Sequence, residues 1–254
     1  MVSDPAVPLV LLHGLLGDAD DWRPVIQALP GVPCHALDLP GHGRNRALRV
    51  SGFDEAHRWL CAELAARDIA HYRLVGYSLG GRLALHHASH TPAGLQALLL
   101  ENCHPGLPAG ERPARIAHDE AWARRFECEP LTWVLADWYR QGVFADLDDD
   151  ARTRQAARRL GNDGKAVAAM LRATSLGRQP DLAPWLRDTR LPVQWISGNR
   201  DHKFHALACQ LVKQGCNIKH LALDGGHNLH TSQPDTFARL LREWAHQPEE
   251  KIHD

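Results

Sequence analysis

Apolar positions along this chain gather in short, nearly continuous runs separated by amphipathic stretches. The first run, "VPLVLLHG" (7–14), reads as a parallel strand buried on both faces. "ADDWRPVIQALP" predicts a helix after it, with Asp18 or Asp20 placed to cap its start. "VPCHALDLPGHG" reads as a strand entering a glycine-rich loop, and "SGFDEAHRWLCAELAARD" as a strongly periodic helix. "HYRLVGY", "LGGRLALHHASH" and "GLQALLLENC" continue as strand, helix and strand. This alternation predicts an α/β fold with a doubly wound, mainly parallel sheet.

The alternation breaks after Cys103. Between 104 and 182 the pattern turns helical, in "HDEAWARRFEC", "PLTWVLADWYR" and "DGKAVAAMLRATSL", and nothing between these pieces reads as a strand. Strand and helix patterns resume with "LPVQWISGNRD", "KFHALACQLVKQ", "CNIKHLALDGGH" and "QPDTFARLLREWAHQ". The division this predicts is a core of residues 1–103 and 183–254 carrying a helical lid insertion, 104–182. The closing "PEEKIHD" is polar and reads as a frayed tail.

Composition then narrows the function classes. With 254 residues, 44% of them hydrophobic, the chain can bury a full core as one domain with an insertion. A formal net charge of −1 gives no basis for binding nucleic acid or an anionic membrane. No run approaches the ~20 apolar residues of a membrane helix. The start "MVSDPAVPLVLLHG" carries an acid and reaches a histidine within a short apolar run, unlike a signal peptide. Cysteines 34, 61, 103, 128, 209 and 216 form no CxxC pair and no regular metal spacing, and read as small apolar fillers in a reducing compartment. A cytoplasmic protein is expected, its oligomeric state left open.

The candidate chemistry lies in "LVGYSLGGRLAL" (74–85). Gly76-Tyr77-Ser78-Leu79-Gly80 is a G-x-S-x-G motif between a predicted strand and a predicted helix. There the serine sits on a strained turn that lifts its oxygen above the sheet edge. Such a serine needs a histidine, and the histidine needs an acid to fix its tautomer. With an elbow of this kind the chain order is serine, acid, histidine. "WISGNRD" supplies Asp201 just past a late strand, and "LALDGGHN" supplies His227 before the final helix. Both arrive at the carboxyl edge of the sheet, where ligands bind in such folds.

The chain has 17 histidines, so the choice needs reasons. His230 falls where the terminal helix is about to begin, and His202 directly follows the acid and points elsewhere. His35, His57, His71, His86, His87, His90 and His220 read as packing or solvent-facing. Asp224 is too close to His227 in sequence to face it. Backbone N–H groups of Leu15, in "HGLLGD", and Leu79 are the candidate oxyanion hole. His13, Asp38 and His42 are expected to brace the loops around them.

These motifs mark the whole chain as resembling the α/β-hydrolase superfamily. "HGLLGD", "DLPGHG" and the elbow are shared widely within it. "GYSLGGR", "ENCHPGL", "ADWYRQGVF", "GNRDHKF" and "GGHN" are similar to one family, the 2-succinyl-6-hydroxy-2,4-cyclohexadiene-1-carboxylate synthases of bacterial menaquinone biosynthesis. The resemblance implies an α/β-hydrolase fold and a carbon–oxygen lyase. Its substrate would be 2-succinyl-5-enolpyruvyl-6-hydroxy-3-cyclohexene-1-carboxylate, from which a ring proton is abstracted and pyruvate eliminated. Ser78, activated by His227 and held by Asp201, would then act as a base, and Leu15 and Leu79 would stabilise an enolate oxygen.

That substrate is a small tricarboxylate, and planar cations suit it. Arg82 lies four residues after Ser78, one helical turn away on the same face. By resemblance Arg115 and Arg159 join it from the insertion, and Trp138, Tyr139 and Phe144 line the apolar wall. Lys203 would add positive charge beside Asp201. The alternative for Arg82, weaker than a place beside Ser78, is a pair with an acid such as Glu101; without the resemblance the other cations fit a solvated role nearly as well, and Trp138 and Tyr139 would be core. No metal or organic cofactor is implied, since no HExxH or similar ligand spacing occurs. The competing reading is a serine carboxylesterase, thioesterase or carbon–carbon hydrolase working through an acyl-enzyme. A non-catalytic ligand receptor on the same scaffold is a third.

Overall fold

In the computed structural model, residues 7–245 are described. Six parallel strands form one sheet in the order β2-β1-β3-β4-β5-β6. They are β1 (Leu9–Leu12), β2 (Cys34–Leu37), β3 (Tyr72–Tyr77), β4 (Leu95–Glu101), β5 (Val193–Gly198) and β6 (Lys219–Leu223). The chain moves outward from β1 to β2, then returns to add β3 on the other side of β1. Such a reversal opens a crevice at the carboxyl ends of β1 and β3. Leu12 pairs with Gly76 there, which brings the loop after β1 beside the turn after β3.

Both faces of the sheet are covered, which explains the continuous apolar runs. Leu9 and Leu11 pack in one layer with Val75, Leu99, Ile196 and residues of α11 (Pro234–Ala245). Val10 and Leu12 pack on the opposite side with Leu74, Leu98 and Trp195. That second layer includes α2 (Phe53–Ala65) and α3 (Leu79–Ser89), while α9 (His202–Lys213) contributes Ala208 and Leu211. β6 forms the far edge and is largely exposed.

One predicted helix is interrupted. "ADDWRPVIQALP" forms a 3₁₀ turn, Ala19–Trp22, before α1 (Arg23–Gln27). Pro24 suits the start of α1 because a first-turn N–H needs no helical partner. Asp18 caps the turn by accepting from the Asp20 N–H at 3.0 Å.

Between β4 and β5 the described chain contains helices and no strand. They are α4 (Arg112–Cys128), α5 (Leu131–Trp138), α6 (Asp149–Arg158), α7 (Gly164–Ala173) and α8 (Ala183–Asp188). Two of these, α6 and α8, escape the hydrophobic pattern. α6 buries no residue, so it has no apolar stripe to read, and α8 is barely more than one turn. α4, α5 and α7 share a small core of their own, including Phe126, Val134, Leu135, Val167 and Leu171, with Leu16 of the first loop packed into it. The remaining short helix, α10 (Leu229–Ser232), lies just before α11. The tail beyond residue 245 lies outside the described residues. No helix among the described residues is long and apolar enough to cross a membrane.

Candidate active site

Ser78 stands between β3 and α3 with φ +50 and ψ −110. A side chain rarely adopts this conformation, and strain of that kind persists only where the surroundings enforce it. Here the Ser78 N–H donates to the Glu101 carbonyl at 2.9 Å, and Arg82 N–H donates back to the Ser78 carbonyl at 3.0 Å. The flanking glycines are required by contact. A Cβ on Gly80 would lie 2.4 Å from the carbonyl oxygens of Leu12 and His13, and one on Gly76 would lie 2.6 Å from the Gly80 carbonyl oxygen.

Two loops bring an acid and an imidazole to this serine. Asp201 caps α9, its Oδ1 accepting from the Phe204 N–H at 3.2 Å. Its other oxygen, Oδ2, accepts from His227 Nδ1–H at 2.6 Å. With Nδ1 carrying the proton, Nε2 has a free lone pair, and Ser78 Oγ–H meets it at 3.3 Å. Both Asp201 and His227 are buried. The rings of Phe204, Tyr77 and Phe144 surround the imidazole, with centroids 4.8, 5.4 and 5.8 Å away.

The backbone beneath His227 is fastened as firmly as its side chain. Asn102 Nδ2 donates to the His227 carbonyl at 2.8 Å and to the Gly226 carbonyl at 3.2 Å, while its Oδ1 accepts from Gly198 N–H at 3.3 Å. Glu101 holds the next residues, accepting from the N–H groups of Leu229 and His230 at 2.6 and 3.2 Å. Glu101 also binds His230 Nδ1 at 2.7 Å, so it is not a partner for Arg82. His230 is fully buried, stacked on Trp22 at 4.0 Å, and so does not face the serine. Asp224 points to solvent near Arg200.

Leu15 and Leu79 both lie on the wall of the cavity above Ser78. Leu79 is the first residue of α3, where helical N–H groups have no internal partner, and neither Leu15 N–H nor Leu79 N–H bonds another described residue. Two buried histidines set the loop geometry. His13 Nδ1–H donates to the Gly14 carbonyl at 2.7 Å and Nε2 accepts from Leu39 N–H at 3.0 Å. His42 Nε2 accepts from Leu16 N–H at 3.1 Å. Burial holds His42 down to about 3, so it remains the neutral acceptor this bond needs. Asp38 completes the bracing by accepting from Ala19 and Arg44 N–H at 2.8 and 3.0 Å.

The cavity has a volume of about 670 Å³ and runs between the sheet edge and the helical insertion. Ser78, Asp201 and His227 share its wall with Arg82, Arg115, Trp138, Phe144 and Lys203. Arg82 donates to the Thr174 carbonyl at 2.7 Å and lies over the Phe53 ring at 5.8 Å, but no described carboxylate pairs with it. Burial, and then the charge of Arg115, pull its pKa down to about 10. The same two causes lower Lys203. Arg115 is bonded to Asp119 at 2.8 Å. The wall therefore carries excess positive charge, which an anion would relieve.

Tyr139 and Arg159 do not line this cavity. They face an adjoining recess of about 70 Å³, reached past Trp138 and Phe144. Arg159 is drawn there by Asp21, which it meets at 2.9 Å. Burial alone would lower its pKa, but Asp21 and Tyr139 reverse the shift and raise it.

The family model described as "Alpha/beta hydrolase family" matches residues 9–240. A 2-succinyl-6-hydroxy-2,4-cyclohexadiene-1-carboxylate synthase from Serratia proteamaculans is 45% identical, with 94% of this chain and 93% of that protein covered. The synthase of that name from Pectobacterium atrosepticum is 46% identical, with 94% of each chain covered. The chain belongs to the α/β-hydrolase family, in its 2-succinyl-6-hydroxy-2,4-cyclohexadiene-1-carboxylate synthase branch. MenH from S. aureus superposes with a TM-score of 0.86 at 26% identity, over 96% of this chain and 94% of that one. An esterase from Thermogutta terrifontis, 18% identical with a TM-score of 0.79 over 95% and 91% of the two chains, shares the fold.

Several wall residues of this synthase-family chain were not singled out by its sequence. His104, His118, Gln141, Arg200 and His202 also line the cavity. His202, expected to point elsewhere, instead lines the same cavity as an exposed residue on the first turn of α9. Burial, then Lys203, Arg82 and Arg115, hold His104 down to about 3, so it faces the cavity as a neutral ring. His104 lies within the quoted motif "ENCHPGL", and Arg200 and His202 within "GNRDHKF", which was the only signal for them.

Proposed function

We infer that the chain is a pyruvate-eliminating lyase acting on 2-succinyl-5-enolpyruvyl-6-hydroxy-3-cyclohexene-1-carboxylate. The reaction abstracts the ring proton beside the succinyl ketone and forms 2-succinyl-6-hydroxy-2,4-cyclohexadiene-1-carboxylate. In this reading Ser78 Oγ takes that proton as His227 Nε2 accepts the serine's own, and Asp201 stabilises the imidazolium that results. The electron pair of the broken C–H bond enters the ketone to give an enolate. It then moves through the ring double bond and breaks the bond to the enolpyruvyl oxygen. Pyruvate leaves as its enolate and is protonated.

The Leu15 and Leu79 N–H groups are assigned to the enolate oxygen. One such donor is worth roughly 3 kcal/mol of barrier where water is excluded. The same donors would serve an ester's tetrahedral intermediate, so they do not choose between elimination and hydrolysis. Arg82 carries that choice. It is a cation one turn from the serine, without a carboxylate of its own, in a cavity shared with Lys203 and Arg115. A tricarboxylate satisfies these charges and a neutral ester does not. We assign Arg159 to a substrate carboxylate reached through the side recess, and Trp138, Tyr139 and Phe144 to the apolar wall of the cavity and recess. Residues 104–182 are assigned the role of a lid.

Purified protein, supplied with the unstable precursor generated in place by the preceding enzyme, is expected to release pyruvate well above the spontaneous rate. Ser78→Ala should lower that rate by about 10³-fold, within the range for removing a general base, and simple aryl esters should be poor substrates. Vigorous ester cleavage with pyruvate release no faster than the blank would place the chain among the hydrolases.

A further inference from the structure

A second cluster of reactive side chains lies on the other end of α3, about 13 Å along the helix axis from Ser78. α2 presents His57 and Cys61, four residues apart and therefore on one face, and α3 presents His87 opposite them. His57 Nδ1 is 2.9 Å from His87 Nδ1, and His57 Nε2 is 3.7 Å from Cys61 Sγ. One donor atom from each of the three residues falls within 4.8 Å of the others. Behind His87 the Tyr72 hydroxyl meets Nε2 at 2.5 Å.

We propose that His57, Cys61 and His87 hold one zinc-class divalent ion that ties α2 to α3. Zinc bonds of about 2.0–2.1 Å to nitrogen and about 2.3 Å to sulfur, in tetrahedral geometry, set donor atoms about 3.3–3.6 Å apart. His57 faces His87 with Nδ1 and Cys61 with Nε2, so one of these nitrogens would ligate, and the three donor atoms, already within 4.8 Å of one another, would close to that spacing by small side-chain rotations. Two imidazoles and a thiolate are the donor set zinc takes. Tyr72 supplies the outer hydrogen bond that ligating histidines usually make, accepting from Nε2–H and leaving Nδ1 as the donor atom. Cys61 is exposed, so it can release its thiol proton to water on ligation, and a water can fill the fourth position. In the metal-free protein the same side chains form a hydrogen-bonded chain from Tyr72 through His87 and both ring nitrogens of His57 to Cys61, and the ion would replace its His87–His57 and His57–Cys61 links.

A neighbouring trio, Asp54, His86 and His90, is the rival. His86 Nε2 and His90 Nε2 lie 3.3 and 4.0 Å from Asp54 Oδ1. It lacks the outer bond: the buried His86 Nδ1 has no partner among the described residues.

The test is titration of the chelator-treated full chain with zinc chloride by calorimetry, and with cobalt chloride by absorption. One ion per chain should bind, with thiolate-to-cobalt absorption, and Tm should rise by roughly 5–10 °C at about a hundredfold excess over Kd. Cys61→Ser and His57→Ala, both outside the buried core, should each weaken binding at least about tenfold and abolish the thiolate band. His90→Ala should preserve both. Absence of one-to-one binding at micromolar zinc would overturn the proposal. So would binding without a thiolate band that His90→Ala removes and Cys61→Ser does not.

Discussion

The sheet edge and the helical roof meet at one cavity but are built by different physics. At the edge, backbone constraints place the side chains. Ser78 is forced to φ +50 between two glycines that tolerate no Cβ, Asp201 is the cap of α9, and Asn102 grips the His227 carbonyl. In the roof, side chains are placed by one another. Arg159 goes to Asp21, Arg115 to Asp119, and Arg172 of α7 to Glu120 and Glu127 of α4. The edge can hold a hydrogen-bond chain in fixed register, whereas the roof can reshape a pocket by exchanging partners.

The strongest way to break this comparison is at the edge. Asp201→Asn keeps a good capping residue for α9 but no longer favours the imidazole tautomer that Ser78 needs. The expected result is a loss in kcat of about 10⁴-fold, with Tm nearly unchanged in a thermal melt. A large fall in Tm would mean that Asp201 supports the fold more than the imidazole.

Two arginines sharpen the contrast next. Arg82→Ala should lower kcat/KM by about 10²-fold, the range for losing a charge-assisted carboxylate bond, and leave stability largely intact. Arg159→Ala should reduce activity and also cost about 3 kcal/mol of stability, because it strands the buried carboxylate of Asp21. Denaturant titrations beside steady-state kinetics separate the two. Equal stability losses in both variants would erase the distinction between Arg82, which has no carboxylate partner among the described residues, and Arg159, which is paired with Asp21.

What was legible in the sequence follows the same boundary. Strands covered on both faces announce themselves as unbroken apolar runs, and the elbow, the Asp201 cap and the His227 loop depend on neighbours within a few residues. The α/β sheet, its order of elements and the trio Ser78, Asp201 and His227 could therefore be read locally. The destination of Arg159 could not, since Asp21 lies 138 positions earlier in the chain. α6 was illegible because it buries nothing, and the α2–α3 cluster because its three residues are contributed by two separate helices. Asn102 was marked only by lying in "ENCHPGL", and its role was not legible, because its three hydrogen bonds go to Gly226 and His227 after β6 and to Gly198 at the end of β5.

The smallest predicted effect is on pH dependence. Burial pulls the pKa values of His42 and His104 from 6.5 to about 3. In the unfolded chain these rings take up protons near 6.5, while in the folded chain they resist until much lower pH. Stability is thus full above about pH 6.5 and falls as pH drops toward 3, by up to about 1.4 kcal/mol per pH unit for the fully buried His42 and by less for the partly exposed His104. Denaturant midpoints between pH 7 and pH 5 should show this decline, and His42→Asn should make it shallower, since His104, His86 and His87 keep their lowered values. A flat profile in the parent chain would contradict the assignment of neutral acceptors to the edge loops.

In the proposed reaction Ser78 takes a proton and forms no bond to substrate carbon. Intact-mass spectrometry of protein quenched during turnover tests it most directly. The chain should keep its unmodified mass while pyruvate accumulates. A transient acyl adduct on Ser78 that forms and decays at the turnover rate would contradict it.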